Sequence, residues 1–192
     1  MAMIAIPLSV DTSRLFREID VDGHRDSSDH VTLFYLGDDI NINTVLDIIP
    51  ILYEVSSKIR PFEATCSKIT TFPKGEKGYP VIAELKSDKL LELRDKIRKL
   101  LEKNKIKYDN TFKEYKPHIT VSWGKKKPGK IKFPEKAKLL ITQLALYGGD
   151  NADSRIFVNF PFSLGVEKKA EDHLLSLTNW FSNLNNENII VE

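Results

Sequence analysis

Apolar residues recur along this chain in two rhythms, and the switches between them mark out its elements. Residues 2–8 (AMIAIPL) form an apolar run that predicts a first strand, and Pro7 puts it at an edge or a strand end. The polar stretch 11–29 predicts a loop with at most a short helical turn. DHVTLFYLG then predicts a strand that stops at Gly37, Asp38 and Asp39. Over 43–59 the spacing turns helical, with Val45, Ile48, Ile49, Leu52, Val55 and Ile59 along one side. Pro50 inside that run predicts a kink or a break. FEATCSKITTF and YPVIAELK predict two strands joined by the turn-rich PKGEKG.

The clearest helix is expected over about 89–103. Leu90, Leu93, Ile97 and Leu100 make its apolar stripe, and Arg94, Lys96, Arg98 and Lys99 are expected to face water. YKPHITVSWG predicts a strand, followed by the basic loop KKKPGK, one strand over 139–147 and a last strand at IFVNFPFSL. A helical tail is expected over about 171–184, with a frayed end after it. The organisation expected is a single domain over 1–168 and a helical extension over 169–192, with no low-complexity linker.

Composition narrows the function classes. Hydrophobic residues make up 41% of the 192 positions, enough for a core without disulfides or metals. Lys+Arg 29 against Asp+Glu 27 leaves a formal charge of +2, which gives no whole-molecule field for long duplex DNA or an acidic membrane. Cys66 stands alone, so neither a disulfide framework nor a cysteine zinc site is expected. No apolar run approaches the roughly 20 residues that span a bilayer. MAMIAIPLSV has no basic lead and no A-x-A-like cleavage site, and it reads as a buried strand. The expectation is a cytoplasmic protein, monomeric, with no cofactor.

One internal repeat changes the picture. His30-Val31-Thr32-Leu33-Phe34-Tyr35 lines up with His118-Ile119-Thr120-Val121-Ser122-Trp123, and glycine follows each shortly after. Two copies suggest two similar halves. In a strand, His30 and Thr32 share one face and His118 and Thr120 another such face, while Val31, Leu33 and Tyr35, or Ile119, Val121 and Trp123, point the opposite way. Tyr35 and Trp123 are therefore expected in the core. An imidazole can take or give a proton near neutrality, and a threonine hydroxyl can hold a phosphate oxygen. Two such pairs can flank one phosphorus atom, one histidine activating an attacking hydroxyl or water and the other protonating the leaving oxygen.

Paired H-x-T motifs, one in each half, resemble the signature of the two-histidine (2H) phosphoesterase superfamily, which includes the LigT and 2′-5′ RNA ligase-like proteins. The order of HVTLFYLGDDI, KIRPFEATCSKITTFP, YPVIAELK and FKEYKPHITVSW is also similar to that family, over about residues 28–125. The resemblance implies an α+β bilobal fold: two pseudo-symmetric antiparallel sheets with helices outside and the active cleft between them. It further implies metal-independent chemistry on 2′,3′-cyclic, 2′-5′ or related phosphodiesters. His30, Thr32, His118 and Thr120 match the family's catalytic motif. The long 11–29 segment, Pro50 and the extension after Gly165 depart from the pattern.

A single H-x-T is a weak signal, since a strand histidine is often just a hydrogen-bonded core residue. No His-x-His, H-E-x-x-H or Cys-rich spacing accompanies these residues, so no metal site is expected. Tyr115 and Lys116 lead into the second motif as candidate substrate contacts. The tyrosine is placed either to stack on a base or to pack at an edge. Lys125, heading the run 125–127 with Lys130, is a candidate phosphate contact or part of a solvated loop. His24 in GHRD has the same two readings, His173 is expected to be structural or exposed, and Cys66 is expected in the core. The partner expected is a small nucleotide or oligonucleotide. The rival reading is a nucleotide or RNA binding module that uses the same cleft without turnover, and 2′-5′ ligase activity is a third.

Overall fold

The computed structural model describes residues 2–17, 19, 21, 23–25, 30–38, 40–111, 114–127, 131, 137–148 and 155–164. Their elements run in the order β1 (Ala2–Pro7), α1 (Val10–Arg17), β2 (His24–Arg25), β3 (His30–Gly37), α2 (Ile42–Ser57), β4 (Phe62–Thr71), β5 (Tyr79–Lys86), α3 (Asp88–Lys103), β6 (His118–Gly124), β7 (Lys138–Ile141), β8 (Gln143–Gly148) and β9 (Arg155–Pro161). The expected tail helix and His173 lie outside the described residues.

The strands form two antiparallel sheets. One has the order β3-β1-β8-β9 and the other β2-β6-β5-β4-β7. Apart from β2, the two orders are equivalent: β3 answers to β6, β1 to β5, β8 to β4 and β9 to β7. The repeat seen in the sequence is thus a repeat of whole half-structures, and β3 and β6 adjoin where the halves meet. The fold is the α+β, two-sheet architecture expected.

A large cluster of buried apolar side chains joins the inner sides of both sheets. It takes Val31 and Leu33 from β3, Ile119 and Val121 from β6, Ile48 and Leu52 from α2, and Leu93 and Ile97 from α3. Each such side chain contributes about 1.5–3 kcal/mol on burial. Cys66 is wholly buried among them, as expected, and burial pushes its thiol up to about 11. Met3, Ala5, Ala145 and Tyr147 form a separate buried cluster. By the ladder register they share a face with Thr32, because Ala5 pairs both Thr32 and Ala145, and Met3 pairs Tyr147.

Three local expectations change. Residues 10–17 form a helix, not a loop: Ser9 accepts from the Thr12 amide at 3.3 Å in the manner of an N-cap, and Phe16 fills the core. α2 is not broken by Pro50. It starts on an Asn41 cap, whose side chain accepts from the Thr44 amide at 2.9 Å, and its buried face from Val45 to Val55 holds it in place despite the lost hydrogen bond. The strand expected over 139–147 is two strands in different sheets, because the chain crosses over at Thr142. The Thr142 carbonyl accepts there from the Phe162 amide at 2.8 Å. Among the described residues no helix is long and apolar enough to cross a membrane.

Candidate active site

Both H-x-T strands carry a β-bulge at the same place. Along β1 and β3, Ile4 pairs Phe34 but Ala5 pairs Thr32, so Leu33 is the extra residue. Along β5 and β6, Val81 pairs Ser122 but Ile82 pairs Thr120, so Val121 is the extra residue. A bulge turns two consecutive residues toward one side and shifts the alternation beyond it. The burial rhythm follows in both strands: histidine half-buried, aliphatic buried, threonine half-buried, two residues buried, aromatic half-buried.

Tyr35 and Trp123 are therefore not core residues. Tyr35 pairs Met3, which stands two places from the Ala5 that pairs Thr32. Trp123 pairs Pro80, two places from the Ile82 that pairs Thr120. Pairs two apart share a face. Histidine, threonine and aromatic thus line the same face in each half, with the bulge taking up the odd residue.

The carbonyls at the first bulge are held by the second half. Tyr115, just before β6, donates its hydroxyl to the Thr32 carbonyl at 2.9 Å. Arg94 of α3 donates Nε–H to the Leu33 carbonyl at 3.2 Å, and its guanidinium lies 4.2 Å from the Tyr115 ring centroid and 4.8 Å from that of Phe34. The Asp109 amide donates to the Tyr35 carbonyl at 2.8 Å. The outer edge of β3 is closed in this way, as β2 closes that of β6. Arg94 was expected in water, but its place four residues after Leu90 puts it on the flank of the buried stripe. Burial lowers its pKa from the ordinary arginine value, and a guanidinium stays charged at neutral pH.

His118 has a defined tautomer. Its Nδ1 lies 2.7 Å from the Lys116 carbonyl, which can only accept, so Nδ1 carries the proton and Nε2 is left as the acceptor in the neutral ring. Burial lowers the His118 pKa, partly opposed by that hydrogen bond. The ring of Phe72 meets it edge-on at 4.8 Å. Across the ladder stands Glu84, which pairs with Lys68 at 3.2 Å. His30 lies 5.4 Å from the ring of Tyr147 and pairs Pro7. The Thr32 hydroxyl donates to the Met3 sulfur at 3.6 Å.

The four motif residues thus stand on matched strands that meet, and the remaining candidates divide. Tyr115 is half-buried, with its hydroxyl bonded and its ring covered by Arg94; burial raises its phenol pKa. Its described contacts are those of packing at the edge of β3. Lys116 serves His118 through its backbone, while its ammonium group is exposed 3.7 Å from Glu114. Lys125 is exposed directly beyond β6. His24 lies on a short strand and not in a loop; it pairs Trp123 and is exposed. Sequence reasoning missed the places of Arg94 and Phe72, and that of Tyr35 and Trp123 on the motif face. Among the described residues no group of three or more His, Cys, Asp or Glu forms a metal cage.

Two equivalent antiparallel sheets that bring paired H-x-T strands together define the two-histidine phosphoesterase class. The sequence profile of the 2′-5′ RNA ligase superfamily matches residues 7–151, and the chain belongs to that superfamily. Among solved structures, TT0787 of Thermus thermophilus is similar at a TM-score of 0.70 and 17% identity, over 84% of this chain and 97% of that one. LigT of E. coli in complex with NADP+ is similar at 0.61 and 15%, over 84% and 94%. The MHV ns2 PDE domain is similar at 0.56 and 16%, over 76% and 97%. At these identities the likeness is one of fold. Comparison with curated protein sequences gives no match.

Proposed function

We propose that this protein is a phosphodiesterase that cleaves a nucleotide or oligonucleotide phosphodiester by acid-base catalysis between His118 and His30. The observation that carries this reading is the duplication of H-x-T together with its bulge on the two strands that meet. His118 is the base. Its Nδ1 proton is fixed on Lys116, and its lowered pKa keeps Nε2 unprotonated, ready to take the proton of the attacking hydroxyl or water. As the new P–O bond forms, His30 gives its proton to the leaving oxygen of the bond that breaks. Thr32 and Thr120 hold nonbridging oxygens, where charge gathers in the transition state. Lys125 and His24, exposed at the far end of β6, attract neighbouring phosphates. The substrate classes that fit are 2′,3′-cyclic phosphates, 2′-5′-linked oligoadenylates and cyclic oligonucleotides.

The test is product formation from a panel of these compounds in EDTA, with wild type beside His30→Ala and His118→Ala. Each variant is expected to lose about 10²–10⁴-fold in turnover while unfolding at the wild-type temperature. Full activity in both variants overturns the assignment. Tight binding with no product from wild type gives the cleft a binding role instead.

A further inference from the structure

We infer that Tyr35 and Trp123 are a matched pair of base-stacking residues, so that the cleft takes a phosphodiester carrying a nucleoside on each side. The inference rests on the reading above and narrows its substrate class.

On a regular strand, the residue after each threonine on the cleft face would be Phe34 or Ser122. The bulges at Leu33 and Val121 send those two inward, where both are buried, and bring Tyr35 and Trp123 up beside Thr32 and Thr120. Two strands far apart in sequence make the same register slip and present an aromatic at the same step. A single phosphate held between the threonines then has one ring on either side. Aromatic rings stack on any nucleobase, and a nearby cation strengthens the contact.

Both residues are held in place. The Tyr35 hydroxyl donates to Asp38 at 2.6 Å. The Trp123–Gly124 end of β6 is gripped on both sides by backbone. A Cβ on Gly23 would lie 2.3 Å from the Trp123 carbonyl oxygen, and one on Gly78 would lie 2.4 Å from that of Gly124. Lys77 brings its ammonium to 5.9 Å from the indole centroid. His24, paired with Trp123, shares its face. A mononucleoside 2′,3′-cyclic phosphate has one base and occupies one ring. A 2′-5′- or 3′-5′-linked dinucleotide occupies both.

The experiment compares wild type, Tyr35→Leu, Trp123→Leu and Trp123→Phe on 2′-5′- and 3′-5′-linked adenylyl dinucleotides and on adenosine 2′,3′-cyclic phosphate. Wild type is expected to prefer one dinucleotide over the cyclic compound at least tenfold in kcat/KM. Each leucine variant is expected to raise the dinucleotide KM roughly 10- to 100-fold, and Trp123→Phe to restore most of it. The cyclic compound is expected to respond to only one of the two leucine variants. A wild type that favours the cyclic compound, or leucine variants with unchanged KM, overturns the inference while leaving phosphodiesterase activity standing. If wild type consumes nothing, the proposed function fails by itself. Calorimetric binding then decides the inference: weaker dinucleotide binding in both leucine variants sustains it, and no binding or equal binding overturns it. A leucine variant that fails to fold leaves the decision to Trp123→Phe against Trp123→Tyr. Dinucleotide KM near wild type in both supports stacking, and a collapse in both refutes it.

Discussion

The hydroxyl of Tyr115 donates to the carbonyl of Thr32, joining the approach to the second H-x-T strand to the bulge that follows the first. Arg94 completes the clamp by covering the Tyr115 ring and bonding the next carbonyl, that of Leu33. The relative position of the two halves at the motifs is thus set by one phenol and one guanidinium as well as by apolar packing.

Tyr115→Phe removes that bond and keeps the ring. The expected cost in stability is about 0.5–1.5 kcal/mol, read from urea unfolding. Turnover on the substrate that the panel identifies is expected to fall several-fold with KM little changed, because Thr32 moves and no substrate contact is lost. A change in KM alone would contradict the positioning role.

The acid limb of the pH profile is the second expectation. With His118 as base, kcat/KM requires its neutral form, and burial holds its pKa below the ordinary histidine value. The limb is expected below about pH 6.5, the value of a free imidazole. Folding responds with matching sign: below that pH the unfolded chain takes up the proton before the folded one, so stability falls as pH falls. A limb above about 6.5 in a kcat/KM series assigns the base elsewhere.

Gly78 gives a test of the frame around Trp123. Its φ of +117° lies where only glycine is at ease, and an added Cβ would also strike the Gly124 carbonyl oxygen at 2.4 Å. Gly78→Ala is expected to cost more than the ~1–3 kcal/mol of backbone strain alone. Gly37→Ala is the control, since its φ is +107° and a Cβ there meets nothing within 4 Å. Denaturation midpoints at constant m-value are expected to fall further for Gly78→Ala.

What the sequence reveals and what it hides follow from which interactions are local. α3 and the H-x-T strands are written in the period of their own apolar residues, so they are legible from Leu90, Leu93 and Ile97 or from Val31 and Ile119. The bulges are not, because an extra residue exists only relative to a partner strand, and Leu33 and Val121 look like ordinary strand positions. Strict alternation puts Tyr35 and Trp123 on the wrong face for that reason. The crossover at Thr142 leaves only a small mark, the adjacent polar pair Thr142-Gln143 between buried Leu139 and Ile141 and buried Leu144 and Leu146, while the choice of sheet on each side is made by distant strands. α1 shows too few apolar residues for a stripe, and only its Ser9 cap could have signalled it.

The equivalent strand orders have a consequence for polarity. A nucleic acid runs from a 5′ end to a 3′ end, whereas a frame with near-twofold symmetry offers the same welcome to either direction. Orientation must then be chosen where the halves disagree. Pro7 stands across from His30, but Glu84, holding Lys68, stands across from His118. Tyr35 answers to Trp123, and among the described residues β2 lies on one side only. Under the proposed function, the symmetry would centre the phosphate and the mismatches would set which way the strand is read.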